Sequence, residues 1–209
     1  MGKLLPTILD TKYENILAQE STVAKAVARS VIGESSVTVW DVLIPIVFFF
    51  NFLKFKRARE IFTLNFLFTK KLALQGAFDM IKTGQSREDA LAQIRNRTSE
   101  ILASDKKGIY SIKIRQKQMR EVELLLDHYS KLLNAEGKDY ASMVKHTYRT
   151  RQNFVGFVKE LEGVEKEVNR AASQTVKTAS APDIVSKMEE TTARLRVAET
   201  EKIFASTNE

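Results

Sequence analysis

Ile112-Lys-Ile-Arg-Gln-Lys-Gln-Met-Arg-Glu-Val-Glu-Leu-Leu-Leu-Asp-His-Tyr-Ser-Lys-Leu-Leu133 places Ile112, Met119, Val122, Leu126, Tyr129 and Leu133 at alternating three- and four-residue steps, once Arg115 is granted one place. Steps of that size bring side chains onto one face of a 3.6-residue helix, so the stretch reads as a helix carrying a heptad-like apolar stripe. Glu136-Gly-Lys-Asp139 ends it, and Asp139 is placed to cap a second stripe: Tyr140, Val144, Thr147, Arg151, Phe154, Val158, Leu161 and Val168. That arm is expected to continue to about Lys177. Two long stripes joined by a short polar turn make an antiparallel helical hairpin.

Working outward, Ser86-Arg-Glu-Asp89 is a capping-box variant opening a helix with Leu91, Ile94, Ile101 and Leu102 on one side, closed by Asp105-Lys-Lys-Gly108. Ser180-Ala-Pro-Asp183 resets the chain, and Ile184, Met188, Leu195 and Ala198 mark a last amphipathic helix. At the other end, Ile16, Leu17, Ala24, Val27, Ala28, Val31 and Ile32 keep helical spacing from Leu9 to near Gly33, with Asp10 as the expected N-cap. Only eight Gly and three Pro interrupt 209 residues, which favours long helices over many short strands. The expected fold is all-α: long amphipathic helices in an elongated hairpin or bundle, with a Phe-rich apolar helical region near the N-terminus. The expected division is an amphipathic helix over 1–36, a Phe-rich apolar and basic region over 37–78, and the bundle over 79–209.

The middle region sets the functional expectation. Between Ser35 and Leu53 the single charge is Asp41, and Val42-Leu-Ile-Pro-Ile-Val-Phe-Phe-Phe-Asn-Phe-Leu53 is halted by Lys54-Phe-Lys-Arg-Ala-Arg59. About nineteen nearly uncharged residues approach the ~20 that a helix needs to cross a bilayer, while Asp41, Pro45 and Asn51 also suit a re-entrant or interfacial segment or a buried core helix. Trp40 and the basic cluster resemble the anchors found at membrane interfaces. Nine of the twelve Phe lie between Phe48 and Phe78.

Charge follows the same division. The net +7 leaves residues 1–36 balanced, whereas residues 37–78 hold six basic groups against Asp41 and Glu60. Trp40, Phe48, Phe49, Phe50, Phe52 and Phe55 are therefore the candidate membrane-inserting side chains. Lys54, Lys56, Arg57, Arg59, Lys70 and Lys71 are the candidate contacts to lipid headgroups. The pattern points to a membrane-associated, non-enzymatic scaffold or adaptor, with the bulk of the chain cytoplasmic by the distribution of Lys and Arg. Its partners would be membrane lipid and, through the stripes, another copy or another helical protein. Arg151, Glu165 and Thr191 interrupt those stripes and weaken the second expectation.

The alternative is a soluble basic helical bundle that binds nucleic acid. Lys106, Lys107, Lys113, Arg115, Lys117 and Arg120, interleaved with Tyr110, could contact phosphates. Glu121, Glu123 and Asp127 follow at once, so a solvated helix face explains the run more simply. The chain has no Cys, which excludes disulfides and thiolate chemistry. No phosphate-binding loop, dinucleotide fingerprint or nucleophile elbow occurs, and neither His128 nor His146 has a metal-ligand spacing around it. No cofactor, metal, catalytic residue or small-molecule substrate is expected from these residues.

Overall fold

A computed structural model describes residues 7–32, 58–106, 108, 110–175 and 181–205. These form α1 (Ile8–Val31), α2 (Ala58–Thr83), α3 (Arg87–Ser104), α4 (Ile112–Asn134), α5 (Tyr140–Tyr148), α6 (Arg151–Thr175) and α7 (Ala181–Phe204), with no strand among the described residues. Trp40, Phe48, Phe49, Phe50, Phe52, Phe55, Lys54, Lys56 and Arg57 lie outside the described residues. No helix among those described is long and apolar enough to cross a membrane.

Local signals start the helices. Ser86, Ser111 and Asp139 each accept a hydrogen bond from the backbone N–H three residues on, at 2.9–3.2 Å. Each satisfies one of the donors that a helix leaves free at its start. At α1 the cap is Thr7 instead of Asp10: the Thr7 side chain accepts from the Asp10 N–H while the Asp10 carboxylate accepts from the Thr7 N–H at 2.9 Å. Asp10 is therefore the reciprocal half of a capping box, three residues inside the position expected for it.

The heptad-like helix is the axis of the bundle. Val122, Leu125, Leu126, Tyr129 and Leu132 of α4 are fully buried, and the helix packs against α1, α2, α3, α5 and α6. Helix α2 packs tightly at Gly76, where a Cβ would meet Leu126 Cδ1 at 3.0 Å and Ile94 Cδ1 at 3.1 Å. The Phe-rich pattern beyond residue 58 belongs to this bundle, since Phe68 and Phe78 are buried in its main core. A satellite cluster of Val27, Val31 and Ile32 with Phe62, Phe66, Ile184, Met188 and Leu195 closes the end where α1 stops and α2 and α7 begin.

The second arm of the expected hairpin is two helices. Arg149 takes φ 62° and ψ −43°, its N–H bonded to the Lys145 carbonyl, and Thr150 Oγ1 then accepts from the Asn153 N–H to start α6. No Gly or Pro announces this break. A side chain at positive φ is strained by contact of its Cβ with the backbone, and Arg149 is exposed. Arg149→Gly is expected to raise the unfolding free energy by about 0.5–1 kcal/mol, read as a higher urea midpoint at unchanged slope. A lower midpoint would show that the turn is not strained.

Candidate functional site

The residues that interrupt the apolar stripes meet inside the bundle. Glu165 lies on the α6 face that also carries Leu161 and Val168, and its carboxylate accepts both arms of the Arg196 guanidinium of α7, at 2.7 and 2.8 Å. The ammonium of Lys70 on α2 donates to the same carboxylate at 3.1 Å and stands 3.8 Å from Glu20 of α1. The Tyr129 hydroxyl of α4 donates to Glu20 at 2.8 Å, and Gln19 donates to Glu199 of α7. Glu121 of α4 completes the cluster, which draws on five helices. Lys70, Glu121 and Arg196 are only 3, 6 and 7% exposed.

Burial and pairing pull these groups in opposite directions. Burial works to raise the Glu165 carboxyl, but Arg196 and Lys70 outweigh it and hold the group down at about 2. For Lys70, burial is likewise outweighed by Glu20 and Glu165, so the ammonium keeps its proton more firmly than in water. Glu121 is neither hydrogen-bonded nor ion-paired to those cations: burial, reinforced by repulsion from Glu165, outweighs the pull of Lys70 and Arg196 and pushes it up to about 8. Burial and Glu20 push Glu199 to about 7. One apolar interior thus holds a firmly ionised carboxylate beside carboxyls that keep their protons near neutrality.

A cavity of about 150 Å³ borders the cluster. It runs between α2, α6 and α7, from the level of Phe62 and Ile184 to that of Lys70 and Arg196, with Glu121 in its wall. Both polar atoms of the Asn65 side chain, also in the wall, are buried without a hydrogen-bond partner.

The residues singled out from sequence separate. Lys70, expected at lipid headgroups, is an interior cation, because its place between Leu67 and Leu74 turns it onto the core face of α2. Lys71 points outward, and exposed Arg59 donates two hydrogen bonds to the Ile32 carbonyl, at 3.0 and 3.1 Å. The basic run is largely engaged within the molecule: Lys117 and Arg120 both reach Glu167 at 2.8 Å, Arg115 bonds Thr98 and the Arg95 carbonyl, and Lys113 bonds Gln174. His128 is buried against Phe157, ring centroids 4.1 Å apart, with Nδ1 2.7 Å from the Tyr148 hydroxyl. Burial lowers it to about 3, so it stays neutral. Among the described residues no group of His, Asp and Glu side chains is placed to hold a metal ion.

The cluster makes opposite pH dependences testable. Glu165, depressed from 4.5, stabilises the fold above that value, and the contribution is lost as pH falls toward 2. Glu121, raised from 4.5, favours the fold fully below 4.5, and that contribution is lost as pH rises through about 8. Glu165→Gln is expected to cost about 3–5 kcal/mol at pH 7 by stranding two buried cations. Glu121→Gln is expected to become more stable than the parent as pH rises from 5 to 8.5, by at most about 1.4 kcal/mol per pH unit. Denaturant titrations across that range check both, and a pH-independent difference for Glu121→Gln would refute its assignment. No family model, curated protein or solved structure matches the chain.

Proposed function

We propose that the protein is a membrane-associated helical scaffold or adaptor that holds its bundle against the cytoplasmic face of a bilayer. The carrying observation is the order of the sequence from Trp40 to Arg59: an apolar stretch containing Phe48, Phe49, Phe50, Phe52 and Phe55, then Lys54, Lys56, Arg57 and Arg59. Phe side chains and Trp40 would enter the acyl region while the basic groups meet anionic phosphates. Lys71, on the exposed side of α2, fits that surface, whereas Lys70 does not.

The contact between Arg59 and the Ile32 carbonyl favours one form of insertion. It joins the two ends of the intervening stretch, so both ends stand at one place on the bundle. A single span would separate its ends by the ~30 Å thickness of the hydrocarbon layer. Two spans need ~40 residues, and only ~25 lie between Ile32 and Ala58. Shallow, same-side insertion satisfies both limits.

Flotation of the full chain with phosphatidylserine/phosphatidylcholine vesicles tests the reading. The parent is expected to float with the vesicles, and Phe48→Ser/Phe49→Ser/Phe50→Ser to bind at least about tenfold more weakly, since each buried Phe contributes ~1.5–3 kcal/mol. Helical content by circular dichroism is expected to be unchanged. Because the chain has no Cys, single cysteines at Arg29 and Glu60 report sidedness, and both are expected to react with a membrane-impermeant maleimide added outside the vesicles. A parent that stays in solution at low salt, or a triple variant that binds as well as the parent, would overturn the proposal.

A further inference from the structure

We infer that the cavity between α2, α6 and α7 is a binding site for a small organic cation with an apolar body, an arylalkylamine or alkylamine of about ten non-hydrogen atoms. Two polar groups in its wall lack what the fold supplies to their neighbours. Asn65 has both side-chain polar atoms buried and unpartnered. Glu121, on a different helix, is nine-tenths buried with no hydrogen bond to its carboxyl among the described residues. Buried polar atoms are nearly always paired; Asn65 departs from that in the wall of this space, and the Glu121 carboxyl lies in the same wall with no partner from the fold, which together mark a position for a ligand's polar end.

The surrounding charges select the sign of the ligand. Lys70 and Arg196 are both held by Glu165, so neither is free to receive an anion. A carboxylate placed here would meet Glu121 and Glu165, and the wall cation that Glu165 does not hold, Lys166, stands exposed at the rim. An ammonium would instead donate to the Glu121 carboxylate and, once the Asn65 amide turns toward the space, to its Oδ1, and it would neutralise a buried carboxyl that has no ion pair of its own. The group that burial keeps protonated near pH 7 would release that proton on binding.

The remaining wall fits the apolar body. Phe62 and Phe66 of α2, their rings 6.1 Å apart, face Ile184 and Met188 of α7. Aromatic faces also attract cations, as Lys70 Nζ does 5.5 Å above the Phe66 ring. A space of about 150 Å³ suits one aromatic ring with a short side chain, since an apolar cavity of about that volume takes up benzene.

Three probes of one shape and different charge test the inference on the full chain: 2-phenylethylamine, 2-phenylethanol and phenylacetate, followed by calorimetry and thermal shift at pH 7. The amine is expected to bind at least about tenfold more tightly than either other probe and to raise the melting temperature. Its binding enthalpy is expected to vary with buffer ionisation enthalpy, as release of a proton requires. Glu121→Gln, which keeps the shape, is expected to lose that buffer dependence and about tenfold in affinity, and Asn65→Leu to lose affinity while keeping the buffer dependence. Equal binding of the three probes, preference for phenylacetate, or no binding of the amine at millimolar concentration would each overturn it.

Discussion

The bundle depends on one carboxylate. Glu165 receives a two-pronged Arg196 and the Lys70 ammonium in an interior that excludes most water, tying α6 to α7 and α2. Taking such ions out of water costs several kcal/mol each, so the arrangement adds little net stability over well-packed leucines. What it adds is register. An apolar stripe sliding by one turn still finds apolar neighbours, whereas a guanidinium displaced by ~5 Å loses both of its hydrogen bonds and leaves charges stranded. Helices α2, α6 and α7 are therefore fixed along their axes by polar contacts and only sideways by the apolar ones.

Most of the fold was legible because it is written in local signals. The stripes from Met119 to Leu133 and from Phe154 to Val168 give two long helices, and Ser86 and Asp139 give starts that the structure reproduces. The break at Arg149 was not legible, since strain there is held by the Asn153 and Lys145 contacts and no Gly or Pro marks it. Nor was the packing of the Phe-rich pattern beyond residue 58 into the bundle, because an apolar run looks the same whether it faces lipid or protein.

The site was visible only as defects. Glu165 and Thr191 stood out as interruptions of otherwise regular stripes, and both interruptions are paired across helices: Glu165 with two cations, Thr191 with the Ser30 hydroxyl at 2.9 Å. Lys70 gave the same signal, a charge at a core position between Leu67 and Leu74, but the neighbouring Lys71 and the basic cluster before it drew it into a surface reading. A polar residue in a stripe asks for a partner that lies far away in the chain, and no periodicity names that partner. Glu121, two residues before Glu123 on the same helix, differs from it only in the face it occupies.

Pairing also separates what holds the molecule together from what it keeps in reserve. Glu165, Lys70, Arg196 and Glu20 each have partners, so their burial is a structural arrangement with its desolvation largely offset. Asn65 does not, and an unsatisfied buried group costs about 1–3 kcal/mol that leucine would recover; Glu121 has no ion pair and is buried as an acid. In a domain whose whole stability is of order 10 kcal/mol, such a group is an appreciable standing penalty. A penalty of that size, beside an open space whose wall also holds the Glu121 carboxyl, is the pattern expected of a preorganised polar site.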